Sequence, residues 1–546
     1  MTNKYNVRAY LGIIPIVFAL MICIMPFITG NAFAAGGLSG ANIKDGVLQG
    51  YYGDGGDIVL PNTVTSIAGE AFKNNDNVTS ITIPGSVSSI GYSAFEGCTA
   101  LEKVVFSDPK DGAELTIRVN AFQDCTKLSD ITIPACCTYV TANIFKGCTS
   151  LEEIKVDEDN PYYASQDGAF FGPWVDEGVP QYDDPNWAII GYAAGKAPGT
   201  YEIPSEVKGH TINMIWASAF NKCENLTGIK IPSSVKDIRG NAFEETGLTE
   251  ITIPDTVEKI GSSLFAGSKN LTDVTLPDSC EELGYGFFNG CTALQRVKMD
   301  GVLSLSMYAF KDCTSLTTLM LPDKLKNIGL SVFPGCTNLQ RVFIPESVTS
   351  FPSDEYVGAY DIFTDAPAGL QVYVVKGSTG EKYAFNNKDD FGWNYTVVDS
   401  KEALKNIDMG EFSLADMGRK IKATAKFNIE NTMKVEDIVS GDAYDIFAQK
   451  ANGKALKVYN ISLLPENSKV PNEIVLAIAV PNGIISKNSE LYTLSGASVE
   501  KINTTISSKT HKGTVSGFGY FAVIGDADTS VVPDKPVEAE SVTLNK

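Results

Sequence analysis

The stretch Leu226-Thr-Gly-Ile-Lys-Ile-Pro-Ser-Ser-Val-Lys-Asp-Ile-Arg-Gly-Asn-Ala-Phe243 decides the fold, because the chain repeats it many times. Its template is L-x-x-I-x-I-P-x-x-V-x-x-I-x-x-x-x-F, and the segments 248–265 and 271–288 follow it. The apolar anchors recur every 22 or 23 residues. A fixed period in this range is typical of a solenoid, in which each unit buries its apolar face against the next.

One phenylalanine marks each copy of the template. The L-x-x-I-x-I segment alternates apolar and polar residues, which predicts a strand with one face inward. Proline ends this strand, V-x-x-I predicts a second short strand, and the Ala-Phe segment predicts one short helical or 3-10 turn. The repeat phenylalanines are Phe72, Phe95, Phe122, Phe145, Phe220, Phe243, Phe265, Phe288, Phe310, Phe333 and Phe363.

Changes of pattern divide the chain into regions. The N-terminus has positive charges, an apolar run and a small-x-small site, which together predict a cleaved leader. Near the C-terminus, short alternating strands without the repeat predict a β-sandwich. The predicted regions are a secretory signal peptide (1–34), an N-terminal cap (35–59), the solenoid (60–398) with a hairpin insert (157–216), a β-sandwich domain (399–525), and a linker with the start of a further domain (526–546).

The net charge of -21 bears on the class of partner. Such an excess of acids repels nucleic acid and anionic lipid headgroups, and it keeps an exported protein soluble. No second apolar run of membrane-spanning length follows the leader. We therefore expect no nucleic-acid binding and no membrane insertion after cleavage of the signal peptide.

Most cysteines follow the repeat, since seven of them lie three residues after the repeat phenylalanine. Asn75, Thr246, Ser268 and Ala366 take this position in other copies, so it requires a small side chain. Two further cysteines replace the template valine. We predict that these nine are buried reduced thiols, with disulfides as the alternative for an exported protein, and that Cys136 is the most exposed. The nine are Cys98, Cys125, Cys137, Cys148, Cys223, Cys280, Cys291, Cys313 and Cys336.

The template resembles the BspA-like leucine-rich repeats of bacterial surface proteins. Ile83-Pro-Gly-Ser-Val-Ser-Ser-Ile-Gly-Tyr-Ser-Ala-Phe-Glu-Gly-Cys98 carries the match closely, and Lys376–Tyr383 is similar to the segment that often ends such arrays. The interruption at 160–163 is similar to a hairpin variant of the family. The resemblance implies a mainly β, right-handed leucine-rich-repeat solenoid of 22–23-residue coils with short 3-10 or helical turns. An Ig-like β-sandwich is expected to follow it.

The resemblance also implies a secreted or cell-surface bacterial protein that binds other proteins. BspA-type proteins are associated with adhesion to matrix and plasma proteins such as fibronectin and fibrinogen. Residues 541–546 resemble the opening of a bacterial Ig-like domain. The chain is therefore expected to be truncated, which leaves room for a cell-wall anchor beyond Lys546. No binding residue of the family maps onto a motif of this chain.

Catalytic chemistry finds little support in the sequence. Only His210 and His511 are present, and both are predicted in solvated turns of different regions. A nucleophile activated by histidine would need one of them. The acidic segment 157–161 invites a calcium site, but the EF-hand pattern fails there. We predict no enzyme activity, no catalytic residue, no metal and no cofactor.

Two groups of residues are candidates for binding a ligand. The midpoints of the L-x-x-I-x-I strands should form an outward column, in which Lys298, Met320 and Phe343 are consecutive members. An exposed apolar patch can mark a partner site, although the residues after the solenoid would hide it if they cover it. The insert offers Trp174, Tyr182 and Trp187, which either stack on sugar rings or pack the hairpin. The whole column is Thr82, Val105, Thr132, Lys155, Lys230, Thr252, Thr275, Lys298, Met320 and Phe343.

The predicted function is non-catalytic binding of extracellular proteins, host matrix or mucin components through the solenoid surface. The alternative is a carbohydrate-binding or carbohydrate-active protein that uses the aromatic and acidic insert 157–216. A structural spacer of the cell wall without a ligand of its own is a third possibility.

Overall fold

The structure is a computed structural model that describes residues 38–527, with gaps in this range. The predicted signal peptide, Trp174, Tyr182 and everything after 527 lie outside the described residues. Every helix and strand of the described residues lies in the second of two compact units, Gly40–Lys546. The gaps are 110–111, 174, 177–178, 181–185, 353–361, 366, 368, 392–393, 407–411, 417–420, 426–431, 465–470, 472, 483, 496–497 and 508.

Each coil contributes one strand to each of two faces. The L-x-x-I-x-I strands pair in parallel with their inward residues aligned, as for Ile81 with Val104 and Ile251 with Val274. We call this the long-strand face. Its strands are Gly56–Val59, Val78–Ile83, Lys103–Phe106, Asp130–Ile133, Glu153–Val156, Gly199–Glu202, Leu226–Lys230, Glu250–Thr252, Asp273–Thr275, Arg296–Lys298, Thr318–Met320, Arg341–Ile344, Gln371–Val375 and Asn394–Val398.

The V-x-x-I segments form the second, short-strand face. At its N-terminal end the strand Ala41–Lys44 pairs antiparallel with Val47–Tyr51 and begins the stack. The predicted mainly β solenoid of leucine-rich-repeat coils is therefore confirmed. Its repeat strands are Val47–Tyr51, Ser66–Ile67, Ser89–Ile90, Leu115–Ile117, Cys137–Val140, His210–Ile215, Asp237–Ile238, Lys259–Ile260, Glu282–Leu283, Ser304–Leu305 and Asn327–Ile328.

The repeat phenylalanines stack on one another along the core. Ring centroids are 4.8 Å apart for Phe72 and Phe95, and 5.5 Å apart for Phe220 and Phe243, with nearly parallel planes. The stack continues in this way to Phe363. Each aromatic pair contributes about 0.5–1.5 kcal/mol beyond the burial of its area. Within each of the two repeat blocks the stack therefore links a coil to its neighbours.

Hydrogen-bonded turns hold each phenylalanine in place and form a third side, which we call the turn edge. In one coil Cys98 N donates to Phe95 O at 3.1 Å, and Phe95 N donates to Ala121 O of the next coil at 2.8 Å. Left-handed residues bracket the turn, with φ of 51° at Ser93 and 72° at Gly97. A left-handed residue cannot continue a right-handed helix, so each turn stays short.

The insert at 157–216 continues the short-strand face. Ala164–Gln166, Ala169–Pro173 and Asn186–Tyr192 form an antiparallel sheet, and Asn186–Tyr192 then pairs in parallel with His210–Ile215. The aromatic stack changes geometry here, since Phe170 meets Phe145 edge-on at 6.4 Å. The insert also contains the short strands Val175–Asp176, Val179–Pro180 and Glu206–Val207.

Asn160 fixes the start of the insert through four hydrogen bonds. Its amide donates to Pro134 O at 2.8 Å and to Cys137 O at 3.1 Å, while Oδ1 accepts from the backbone N–H groups of Tyr162 and Tyr163 at 2.9 Å. The side chain is buried. All of its hydrogen-bonding capacity is therefore used within the fold.

Two ion pairs cross the insert on the turn edge. Lys222 Nζ lies 3.0 Å from Asp124, and Lys146 Nζ lies 3.3 Å from Glu244. Each pair joins a residue before the insert to one after it, and Asn221 also donates to Glu244 at 2.8 Å. These contacts tie together the two repeat blocks at the point where the period is interrupted.

The last two strands of the solenoid pack on the helix Thr379–Phe391. Two further sheets follow the solenoid. Buried residues of both sheets, such as Leu476 and Phe521, share one core. Short 3-10 helices span Glu402–Asn406 and Ser486–Asn488, and a helix spans Asp442–Ala451. Among the described residues, no helix combines the length and apolar character needed to cross a bilayer. The strand order of the first sheet is Phe412–Asp416, Ile421–Ala425, Ile474–Ala479, Thr510–Val515, Thr505–Ser507. The strand order of the second sheet is Thr432–Ile438, Ala455–Leu464, Gly519–Gly525, Glu490–Ser495, Ser498–Lys501.

The stack can be tested by removing one ring. Phe265→Ala should lower the free energy of unfolding by about 3–5 kcal/mol, because it opens a cavity between two stacked neighbours. Urea denaturation followed by circular dichroism measures this loss. Phe385→Ala is the control, since Phe385 is 62% exposed and its removal should cost less than about 0.5 kcal/mol. Equal losses for the two variants would show that the stack does not stabilise the solenoid.

The role of Asn160 can be tested in the same assay. Asn160→Ala should destabilise the protein by about 2–4 kcal/mol, because four backbone groups, two buried and two partly buried, lose their partner. Asn338→Ala provides a comparison, since the Asn338 amide donates to Thr314 O at 2.8 Å and its loss should cost about 1 kcal/mol. A cost at Asn160 no larger than that at Asn338 would contradict the assigned role.

Candidate functional site

The outward column of the long-strand face is covered at its C-terminal end, whereas Val105, another apolar member, is 37% exposed. Lys298 is exposed, whereas Met320, which is predicted to be exposed, is half-buried. Phe343 is 1% exposed, so the predicted exposure of this residue is wrong. It packs in a small cluster with Tyr373, Val398 and Leu404, against which Met320 also packs.

The covering segment follows the last strand of the solenoid. Leu404 belongs to the 3-10 helix Glu402–Asn406, and Lys401 Nζ binds both carboxylate oxygens of Asp323, at 3.1 and 3.0 Å. The alternative that residues after the solenoid cover the column is therefore correct for Phe343. Phe343 is core of this closing cluster, and Met320 packs against it.

The aromatic residues of the insert are largely core. Trp187 is 2% exposed, and Tyr163, Phe170 and Phe171 are fully buried. Trp187 stacks on His210 with ring centroids 4.1 Å apart. The hypothesis that Trp187 offers a surface for sugar rings is therefore wrong, because this ring fills the interior of the inserted sheet. Trp174 and Tyr182 remain predictions outside the described residues.

Both histidines lie in strands, so their prediction as solvated turn residues is wrong. His210 begins the strand His210–Ile215 and stacks on Trp187. His511 is 1% exposed, and its ring nitrogens lie 3.0 Å from Ser489 Oγ and 2.8 Å from Thr504 Oγ1. Burial lowers the pKa of His511 and so favours the neutral ring. A ring enclosed between two hydroxyl groups holds strands together and has no route to a substrate.

The seven cysteines that follow the repeat phenylalanines are buried thiols, and all of them except Cys223 make the same hydrogen bond. Cys98 Sγ donates to Phe72 O at 3.0 Å and Cys336 Sγ donates to Phe310 O at 3.0 Å, in each case to the preceding coil. Ser268 makes the same bond to Phe243 O at 2.8 Å. Burial raises the pKa of Cys148 and of Cys336 to about 12. These thiols are therefore structural donors and poor nucleophiles.

Acidic and cysteine side chains do not gather into a metal site in the described part of the chain. No group of three or more histidine, cysteine or carboxylate side chains there could hold an ion. In the acidic segment, Asp157 Oδ1 accepts from Asp159 N at 3.0 Å and Asn160 is committed to the fold. These side chains therefore shape the turn that begins the insert.

A partly exposed apolar patch lies on the turn edge, at the template position three residues before the repeat phenylalanine. Its first member is exposed and the other three are half-buried. Consecutive coils place Tyr285, Met307 and Leu330 there, and Tyr308 lies beside them. Tyr285 is 56% exposed and meets Tyr308 edge-on, with ring centroids 5.6 Å apart. We call Tyr285, Met307, Tyr308 and Leu330 the turn-edge patch. Glycine, alanine or serine takes this position in several other coils.

The backbone ladder holds this patch rigidly. The N–H and hydroxyl groups of Ser263 donate to Tyr285 O at 3.0 and 2.9 Å. In the next coils Gly286 N donates to Met307 O, and Tyr308 N donates to Ser331 O. Lys311 Nζ lies 5.6 Å from the centre of the Tyr308 ring. The sequence carries a signal for this patch, because large apolar residues occupy a free template position in three consecutive coils.

The two faces and the turn edge define a leucine-rich-repeat solenoid. Comparison with protein families matches the BspA type leucine rich repeat region in six copies, over residues 51–171, 202–302 and 258–360. These ranges span half of the chain, and the chain belongs to this family. None of the curated proteins compared with the chain matches it.

Solved structures similar to the chain are also leucine-rich-repeat proteins or bacterial antigens. The pneumococcal vaccine antigen PcpA is 21% identical over 64% of this chain and 80% of that chain, with a TM-score of 0.42. A leucine-rich repeat protein from Eubacterium ventriosum is 22% identical over 57% of this chain and 93% of that chain, with a TM-score of 0.38. One from Bacteroides ovatus is 22% identical over 65% and 94%, with a TM-score of 0.37.

The burial of the thiols predicts their reactivity. With Ellman's reagent at pH 8, the native protein prepared without residues 1–34, which contain Cys23, should react quickly at Cys136, which is half-buried, and slowly at the nine buried cysteines. Unfolding in guanidinium should expose the rest. Absorbance at 412 nm follows the reaction, and Cys136→Ser should remove the fast phase. Fast reaction of several thiols in the native protein, or a fast phase that persists in Cys136→Ser, would contradict this assignment.

Proposed function

We propose that this protein is a non-catalytic, extracellular or cell-surface protein that binds other proteins through the turn edge of its solenoid. The turn-edge patch carries the proposal. Tyrosine is enriched among the residues that contribute most to protein interfaces, and an exposed apolar group of this kind can mark a partner site. Extracellular proteins of the host matrix and plasma, and mucin components, are the proposed partners.

Rigidity supports the use of this patch for binding. Its backbone is fixed by bonds to the preceding and following coils, so little conformational entropy is lost when a partner docks. Two tyrosines supply an apolar surface together with hydroxyl groups that can bond a polar partner backbone. A solenoid presents such a patch on an extended surface, which suits a large ligand.

Charge supports a protein partner over an anionic polymer. The chain has a net charge of -21, and Lys311, the cation beside the patch, lies 3.6 Å from Asp312. A polyanion would therefore meet repulsion at long range and little attraction at the patch. The leader at 1–34 supports export, which would bring the solenoid into contact with extracellular proteins.

The alternative function, carbohydrate binding or catalysis at the insert, depended among the described residues mainly on exposure of Trp187. Trp187 is core, and Asn160 is engaged by four hydrogen bonds. The buried thiols and the enclosed His511 likewise offer no activated nucleophile among the described residues. These observations favour binding over catalysis.

The proposal predicts the effect of removing one ring. Tyr285→Ser should weaken binding to immobilised fibronectin, fibrinogen or mucin at least tenfold, which corresponds to about 1.4 kcal/mol. Surface plasmon resonance with the purified protein measures the dissociation constant. Tyr520→Ser is the matched control, because Tyr520 is 36% exposed and lies in the strand Gly519–Gly525, away from the solenoid repeats.

Thermal denaturation should show that both variants are folded, with a loss of at most about 1.5 kcal/mol for Tyr285→Ser, which removes the contact with Tyr308. Binding that is equal for Tyr285→Ser and the unmodified protein would contradict the use of the turn-edge patch. If the protein binds none of these three proteins and hydrolyses a glycan substrate, the proposed function itself is overturned.

A further inference from the structure

A polar cleft lies at the N-terminal end of the solenoid, between the cap hairpin and the first repeat turn. Its volume is about 380 Å³. Side chains with hydrogen-bonding groups dominate its lining, and one tyrosine stands at its rim. The residues that matter for its chemistry are Gln49, Tyr52, Glu70, Lys73, Asn74 and Asn77.

Tyr52 is the most exposed aromatic residue of the described chain, at 82%. Its backbone is fixed, because Tyr52 N donates to Gly40 O at 2.8 Å. Its ring lies against Gly50, where a Cβ atom would approach the Tyr52 hydroxyl oxygen to 2.9 Å. The ring therefore has one supported side and a large free surface.

A second exposed ring lies next to the cleft. Tyr92 is 54% exposed, and its backbone carbonyl accepts from Glu70 N at 2.9 Å. Its ring occupies the space above Gly69, where a Cβ atom would come within 2.4 Å of a ring carbon. Glycine at residue 69 thus allows the ring to rest on the backbone of the preceding coil, beside the lining residue Glu70.

We propose that this cleft binds a neutral saccharide. A pyranose ring has an apolar face of C–H groups, which suits an exposed aromatic ring, and a rim of hydroxyl groups. Those hydroxyl groups need both donors and acceptors, which the amides of Gln49, Asn74 and Asn77 and the carboxylate of Glu70 supply. Concave sites with an aromatic wall and a few polar groups are typical of small-ligand binding.

The charges of the cleft select a neutral sugar over an acidic one. Lys73 Nζ is already paired, at 3.1 Å from Glu70 and 3.4 Å from Glu96. Asp76 also lines the cleft. A carboxylated or sulfated sugar would therefore meet more negative than positive charge, in a chain whose net charge is -21.

This site is independent of the turn-edge patch. It uses the cap and the first coil, whereas Tyr285 belongs to the coil that ends at Phe288. A variant at either site should therefore leave binding at the other unchanged. The failure of one proposal can be separated from the failure of the other by measuring both ligands on both variants.

The test is an array of neutral and sialylated oligosaccharides probed with the purified, fluorescently labelled protein. Neutral hexose and N-acetylhexosamine oligosaccharides should bind, and isothermal titration with the strongest of them should give a measurable dissociation constant. Tyr52→Ser and Gln49→Ala should each weaken that binding at least fivefold, whereas Tyr285→Ser should not change it. Both Tyr52 and Gln49 are exposed, so thermal denaturation should confirm that the variants are folded.

Three results would overturn the proposal. The first is that the protein binds none of the neutral oligosaccharides at millimolar concentration. The second is a dissociation constant that Tyr52→Ser leaves unchanged, which would place the sugar elsewhere on the protein. The third is stronger binding of sialylated than of neutral oligosaccharides, which would contradict the charge argument.

Discussion

Stacking of one phenylalanine per coil on the next is the constraint on which the rest of the structure depends. Neighbouring strands of a sheet lie about 4.7–4.9 Å apart, which is close to the distance at which aromatic rings stack. The observed centroid distances, 4.8 Å for Phe72 and Phe95 and 5.4 Å for Phe310 and Phe333, follow from this match. A ring in each coil can therefore stack without disturbing the hydrogen bonds of either face. The turns and the small residues that follow each phenylalanine serve to keep the ring in register.

The core anchors could be predicted from the sequence, because each one repeats and burial is the common reason. Leucine, isoleucine and phenylalanine at fixed spacing gave the coils, and the mixture of Cys, Ser and Thr at one position indicated a small buried side chain. The structure adds the hydrogen bond that unites these residues: Cys336 and Ser268 each donate to a carbonyl of the preceding coil. A thiol and a hydroxyl are interchangeable there as donors.

The candidate site was harder to predict, because exposure depends on contacts distant in sequence. Phe343 stands at an outward strand position, yet it is buried in one cluster with Tyr373 of the next strand and with Leu404 from a segment beyond the solenoid. Trp187 lies in an insert rich in aromatic and acidic residues, a composition that suggested a ligand-binding surface. Pairing of Asn186–Tyr192 with His210–Ile215 instead places Trp187 inside the protein. The exposed Tyr285 lies after the short strand of its coil, so the alternation of apolar and polar residues in the strands does not predict its exposure. His511 could not be assigned to its strand because the last sheets lack the repeat, and His210 lies two residues before Ile212, the first template position of its strand.

The ion pairs that cross the insert have a consequence for ligands of some length. Lys222 with Asp124 and Lys146 with Glu244 keep the turn edges of the two repeat blocks joined where the period is broken. Glu70 of the N-terminal cleft and Tyr285 of the turn-edge patch both belong to this edge. A heavily glycosylated protein could then engage the cleft with a sugar and the patch with its polypeptide. The second contact would form at the high effective concentration set by the first, so that two weak contacts would give avid attachment.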